Sequence, residues 1–229
     1  VEPGSSHELT YYVDTDAQNP FQLQPRVETL GVGSVRENLP EENISEQDVS
    51  AWIAFTQPSF TVNPSASQLY TLPNGQETRA QGSYTFRLNV PSRGEAEPGY
   101  HMVRLRPNAQ FDAGSGAGFG TTSVGLALPS LTFRVEGDVR REIQATDAEA
   151  LRIGENRVQI VLQFTNTGTV TTSYRGGRLN IYREDRKVGE VYIRGFEIAP
   201  GESIETDAVW NSGDLGGGVY RIEGAMSYW

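Results

Sequence analysis

Two histidines, His7 and His101, no cysteine and many scattered carboxylates are what this 229-residue chain offers to chemistry near neutral pH. A Ser-His-Asp triad would have to recruit one of those two imidazoles. No Gly-x-Ser-x-Gly sits on a strand-to-helix turn, and Gly114-Ser115-Gly116 lies in a run of small residues. A zinc centre wants three or four His, Cys or acidic ligands, and neither His-x-Glu nor His-Glu-x-x-His occurs. Asp14-Thr15-Asp16 has carboxylates a hard cation accepts but lacks the other ligands of a calcium loop. Gly216-Gly217-Gly218 is followed by no Gly-Lys-Ser/Thr, so it reads as a turn and not as a phosphate cradle. The chain is therefore read as non-enzymatic, with no catalytic residue, no metal ligand set and no cofactor assigned.

Binding chemistry remains. The formal net charge of −10 repels nucleic acid and anionic lipid, which argues against a nucleic-acid partner. Only Lys187 among the 19 basic residues is a lysine, a bias that a GC-rich genome produces on its own. Against this acidic background Arg87, Arg104 and Arg106 fall on outward strand phases. If a hairpin makes their strands neighbours, they form a basic stripe for carboxylates or phosphates of an envelope polymer, or for an acidic protein face. The plainer reading has each arginine covering a sheet face beside a glutamate. Asn43-Ile44-Ser45 is an N-glycosylation sequon in a loop. Trp52 and Trp210 sit among strand residues and read as core, and His101 shares the phase of Val103 and Leu105 and reads as partly buried.

The elements that position these residues are short strands separated by turns. Tyr84, Phe86, Leu88 and Val90 point one way and Thr85, Arg87 and Asn89 the other, the period of a half-buried antiparallel strand. Pro98-Gly99 supplies a turn, after which His101, Val103 and Leu105 alternate with Met102, Arg104 and Arg106. Gly31 to Asp48 dissolves into an acidic loop with Glu41-Glu42, and Ser45 with Asp48 could cap one helical turn before Trp52. Asp112 to Thr122 reads as a small-residue loop or flap, and Val124, Leu126 and Leu128 as a strand. Further on, Val158, Ile160, Leu162 and Phe164 face inward. Asn166-Thr167-Gly168 turns the chain, with Asn and Gly tolerant of left-handed backbone, and Pro200-Gly201 turns it again. Asp147 to Arg152 is at most a turn or two of helix.

The same grammar is thus written twice, and regular short strands at this spacing predict an all-β chain of two tandem immunoglobulin-like β-sandwich domains, 1–137 and 138–229. The first half, with Pro3-Gly4, Trp52, Val62-Asn63-Pro64, Val90-Pro91 and Pro98-Gly99-Tyr100, resembles secreted immunoglobulin-like modules of prokaryotic envelope proteins. The second, with Phe164-x-Asn166-x-Gly168, Pro200-Gly201-Glu202-Ser203 and Gly218-Val219-Tyr220, resembles adhesion-type repeats. Their tandem order is similar to WxL-interacting surface proteins and to surface-layer accessory proteins. The resemblance implies an exported cell-envelope scaffold or adhesion protein, located at the cell surface, whose partner is a surface protein or an envelope polymer. The alternatives are a carbohydrate-binding accessory region of a larger secreted enzyme, and a periplasmic chaperone-like sandwich with an unpaired apolar edge. Val1 in place of Met suits a processed N-terminus, and Tyr228-Trp229 suits the approach to a membrane anchor beyond it.

Overall fold

The computed structural model describes residues 1–30, 39–40, 43–72, 74–111 and 129–225. The chain is all-β in the described residues apart from single helical turns, and it divides into two compact units. One draws on the chain up to Leu30, Asp48–Ala96 and Tyr100–Glu136; the other on the stretch ending at Gln47, Glu97–Gly99 and the chain from Gly137 onward. The expected strands at Val124, Leu126 and Leu128, the small-residue loop from Asp112 to Thr122, the Glu41-Glu42 pair and Trp229 lie outside the described residues.

The first unit contains β1 (Ser6–Val13), β2 (Phe21–Gln24), β3 (Val27–Thr29), β4 (Ile53–Phe55), β5 (Phe60–Val62), β6 (Gln68–Thr71), β7 (Glu77–Ala80), β8 (Gly82–Asn89), β9 (Gly99–Leu105), β10 (Asn108–Phe111) and β11 (Ser130–Val135). They form the sheets β1-β8-β4, β10-β2-β5 and β11-β9-β3, with β6-β7 as a separate hairpin. Alternation on β8 buries Tyr84, Phe86 and Leu88, which join Val103, Leu105, Trp52 and Phe133 in one core. His101, expected to be partly buried, is only 1% exposed. Its ring stacks on Phe133 at 5.5 Å and meets Trp52 at 5.2 Å. Met102 on the opposite phase is buried as well, so this strand is covered on both sides until Arg104.

The second unit is a sandwich of two three-stranded sheets. One is β12 (Ile143–Arg152), β13 (Arg157–Asn166) and β16 (Ser203–Asn211), in the order β12-β13-β16; the other is β14 (Thr172–Arg183), β15 (Arg186–Ile198) and β17 (Arg221–Glu223), in the order β15-β14-β17. Between them lie Ile160, Leu162, Phe164, Tyr174, Ile181, Ile193, Ile198 and Trp210.

The turn motifs of this unit converge on one side chain. Asn166 is fully buried, and its Nδ2 donates to Val170 O at 2.9 Å and Ile198 O at 2.8 Å while its Oδ1 accepts from Gly168 N at 2.8 Å. Its backbone N donates to Glu202 O, and its carbonyl accepts from Gly201 N. Gly201 has φ +77°, as a turn with proline at the preceding position requires. The chain turns at Asn166-Thr167-Gly168 as expected, but Gly168 does not use the left-handed backbone it tolerates. It is needed because a Cβ would run into the Arg140 carbonyl.

Two other local expectations are corrected. The helical turn before Trp52 exists as Ser50–Trp52, and Asp48 Oδ1 accepts from Ser50 N at its start, but the N-cap Val49 offers no side-chain bond and the Ser45 hydroxyl is committed elsewhere. Asp147 to Arg152, read as a possible helical turn, belongs to β12. Its alanines, glutamate, leucine and arginine prefer helix, yet pairing with β13 from Ile143↔Asn166 to Arg152↔Val158 overrides that weak preference.

Asn166→Ala removes the amide's bonds to the Val170 and Ile198 carbonyls and to Gly168 N, and only the Val170 carbonyl keeps a second side-chain partner, the Thr172 hydroxyl at 3.1 Å. Each buried group left unpaired costs roughly 1–3 kcal/mol. Denaturant titration should show a loss of about 2–4 kcal/mol, carried by the second unit.

Candidate binding surfaces

The three candidate arginines do not form one stripe. Arg87 is on β8, with Glu8 and Ala54 as its cross-strand neighbours, and its guanidinium lies 3.4 Å from Glu8 Oε2. Arg104 is on β9 opposite Glu28, and Arg106 reaches the same Glu28 at 3.1 Å. β8 and β9 do not pair; they belong to separate sheets whose inner phases meet in the core, so their outward phases look away from each other. The Pro98-Gly99 turn therefore makes no β8-β9 hairpin. Gly99 has φ +112°, and a Cβ there would stand 2.6 Å from Asn43 O, so the chain needs glycine on both counts. The exposed pairs Arg87–Glu8 and Arg106–Glu28 match the plainer reading, in which arginines cover a sheet face.

Asn43 is half-buried, and Ser45 of its sequon is 2% exposed. The Ser45 hydroxyl donates to Glu97 Oε2 at 2.6 Å, and Thr171 donates to the other oxygen of the same carboxylate. Gln47 Oε1 accepts from Glu97 N at 2.9 Å, Arg141 donates to Ile44 O, and Ser173 donates to Glu46 at 2.6 Å. Glu97 is a buried acid that no sequence signal singled out. Its partners lie 52 and 74 residues away, a separation that no local motif can encode. His7 lies at the exposed start of β1, 2.9 Å from Ser5 Oγ, which also donates to Glu2 O.

Asp48 accepts from Thr29 Oγ1 at 2.6 Å and from Ser50 N at 2.9 Å. Those bonds, the Thr29 hydroxyl foremost, favour the ionised form and hold its carboxyl below the usual range.

Two features of the second unit were missed from sequence. The first is the free side of β12, which is the edge of its sheet and has no strand partner there among the described residues. Every residue of β12 after Ile143 is exposed, including Ala145, Ala148 and Ala150, which pair with the buried Phe164, Leu162 and Ile160 and so face inward. The second is a groove of about 660 Å³ at the end of β12, lined by Ala150, Val158, Ile160, Ile181, Tyr220 and Ile222, with Trp210 at its base and the glycine-rich stretch 212–219 along its rim. The alternation of β13 predicted its inward residues, of which Ile160, Leu162 and Phe164 are buried; the exposure of the inward alanines of β12 depends on how far the other sheet extends.

No protein-family profile matches the chain, and no curated protein does. Among solved structures it is similar to the CupB2 chaperone of Pseudomonas aeruginosa, at 11% identity over 95% of this chain and 91% of that one, with a TM-score of 0.26. It is also similar to the E. coli chaperone DraB, at 18% identity over 90% and 80%, with a TM-score of 0.27. A third is the CsuC-CsuE chaperone-tip adhesion subunit pre-assembly complex of Acinetobacter baumannii, at 12% identity over 100% and 96%, with a TM-score of 0.25. None of the three is a WxL-interacting or surface-layer accessory protein. At such TM-scores the likeness carries no argument, and the all-β assignment rests on the strands and cores described above.

Two outcomes follow from these sites. Replacing Arg87, Arg104 and Arg106 together by Gln should cost no more than about 1 kcal/mol for each exposed pair in chemical unfolding; a much larger loss would make these arginines structural. For Asp48, a folded pKa below the unfolded value of about 3.9 means a contribution fully present above pH ~4 and lost as pH falls through the lower folded value. Thermal unfolding of Asp48→Asn across the acid range should show a shallower decline than wild type.

Proposed function

We propose that this chain is a non-enzymatic protein-binding module of a prokaryotic cell envelope, with 1–137 and 138–229 as its immunoglobulin-like domains, and that it takes up an extended strand of a surface protein along β12. The exposed ten-residue edge of β12 carries this reading. An unpaired edge presents backbone N–H and C=O groups that a second strand can satisfy, and alternate side chains of that strand provide specificity. Three inward positions of β12, Ala145, Ala148 and Ala150, are alanines, which leave room for larger side chains of an incoming strand to reach toward the groove. Asp147 and Glu149, and the bulge between Ala145 and Asp147, work against pairing with a second acidic copy and favour a neutral or basic strand. Arg87 on one face and the Arg104–Arg106 pair on the other are secondary contact points in this reading. Asn43 is a modification site only if glycosylation precedes the burial of Ser45.

In an antiparallel ladder, successive N–H groups point to opposite sides. Of Glu149→Pro and Ala150→Pro, one therefore blocks the outer edge while leaving the pairing with β13 intact, and its unfolding temperature identifies it. That variant should lose co-sedimentation with native cell envelopes, and wild-type binding should vanish once surface proteins are stripped. Wild-type binding by the edge-blocked variant, or binding retained on stripped envelopes, would overturn the reading.

A further inference from the structure

The outer face of the β15-β14-β17 sheet carries a second kind of surface. Tyr192 on β15 is 59% exposed. It stands directly across from Arg178 on β14. Its hydroxyl reaches over to Gly176, where a Cβ would lie only 2.7 Å from Oη, so the ring lies along the sheet and does not stand off it. Gly176 has φ +90° and pairs with Arg194, which brings the guanidinium-bearing residues Arg178 and Arg194 to either side of the ring. Arg178 is held by Glu190 at 3.4 Å, and Lys187 shares that carboxylate at 2.9 Å. Arg194 is exposed and has no ion-pair partner among the described residues.

The row continues along β14. Asn180 lies between Glu190 and Glu223, and Tyr182 follows, with the Arg221 guanidinium 5.2 Å from its ring centroid. From Arg178 to Tyr182 the strand advances about 13 Å at roughly 3.3 Å per residue. A sheet face with aromatic rings, a planar amide and guanidinium groups along one strand suits an extended polymer of rings and hydroxyls. The C–H face of a sugar packs on the electron-rich face of tyrosine, and guanidinium groups take carboxylates in a two-pronged fashion. A polypeptide strand would be better served by a sheet edge.

We infer that Tyr192, flanked by Arg178 and Arg194 on this sheet face, is a binding platform for an acidic polysaccharide, with the ring stacking one sugar and the arginines holding carboxylates. The site is separate from the β12 edge and stands or falls independently of it.

Affinity electrophoresis of the whole chain through gels containing polygalacturonate tests it, with fully methyl-esterified polygalacturonate and polyglutamate as comparisons. Polygalacturonate should retard the protein, Tyr192→Ala should weaken that retardation at least tenfold, and Arg194→Gln should weaken it for the acid polymer while leaving any response to the ester unchanged. Arg79→Gln, on the exposed face of β7, should behave as wild type. Absence of retardation, equal retardation of wild type and Tyr192→Ala, or equal retardation by polyglutamate would each overturn the assignment. Tyr192 is exposed, and Tyr192→Phe, which keeps the ring, should restore binding if Tyr192→Ala acts through the platform and not through folding.

Discussion

The second unit depends on the buried amide of Asn166. A side chain fully removed from water must find partners for its donors and its acceptor, and Asn166 finds them in the chain's own turns. One carbonyl belongs to the loop after β13, one to the end of β15, and the accepted N–H to Gly168. With the two backbone bonds to Gly201 and Glu202, the same residue fixes where β13 ends, where β15 ends and how the chain re-enters as β16. The Phe-x-Asn-x-Gly and Pro-Gly-Glu-Ser patterns are thus two halves of one hydrogen-bonded joint. Their spacing in sequence records a meeting in space.

With that joint set, the two sheets meet fully on one side and incompletely on the other. β12 remains paired to β13, but its inward alanines are exposed, and the groove opens where the opposite sheet is reduced to the three residues of β17. β12 is also where local preference and fold disagree most, since its composition favours helix and its pairing imposes strand. Such conflicts are held in place by tertiary contacts, here a ladder on one side only. An edge of this kind leaves backbone donors and acceptors of β12 without a strand partner among the described residues.

Charge follows the same division between pattern and placement. Arg87, Arg104 and Arg106 share an outward phase, and phase was readable from alternation alone. Proximity was not, because a proline-glycine turn after a strand does not say whether the next strand pairs with the last or crosses to another sheet. Here it crosses, and each arginine settles beside a local glutamate. The arginines that do gather around an exposed aromatic ring, Arg178 and Arg194, are joined by the β14–β15 register and by the Gly176 backbone, neither of which periodicity reveals.

The sequence alone determined the all-β class, the doubled layout of strands, the inward residues of β8 and β13 and the burial of Trp52 and Trp210, because a period of two and the chemistry of Pro and Gly are local properties. It also carried the elements of the Asn166 joint, though not the joint itself. Tertiary structure alone decided that Glu97 would be buried between Ser45 and Thr171, that Asp147 to Arg152 would be strand, and that β8 and β9 would part into different sheets. Each of these turns on a partner far along the chain, and the free energy that selects such a partner comes from packing and hydrogen bonds formed only when the whole unit closes.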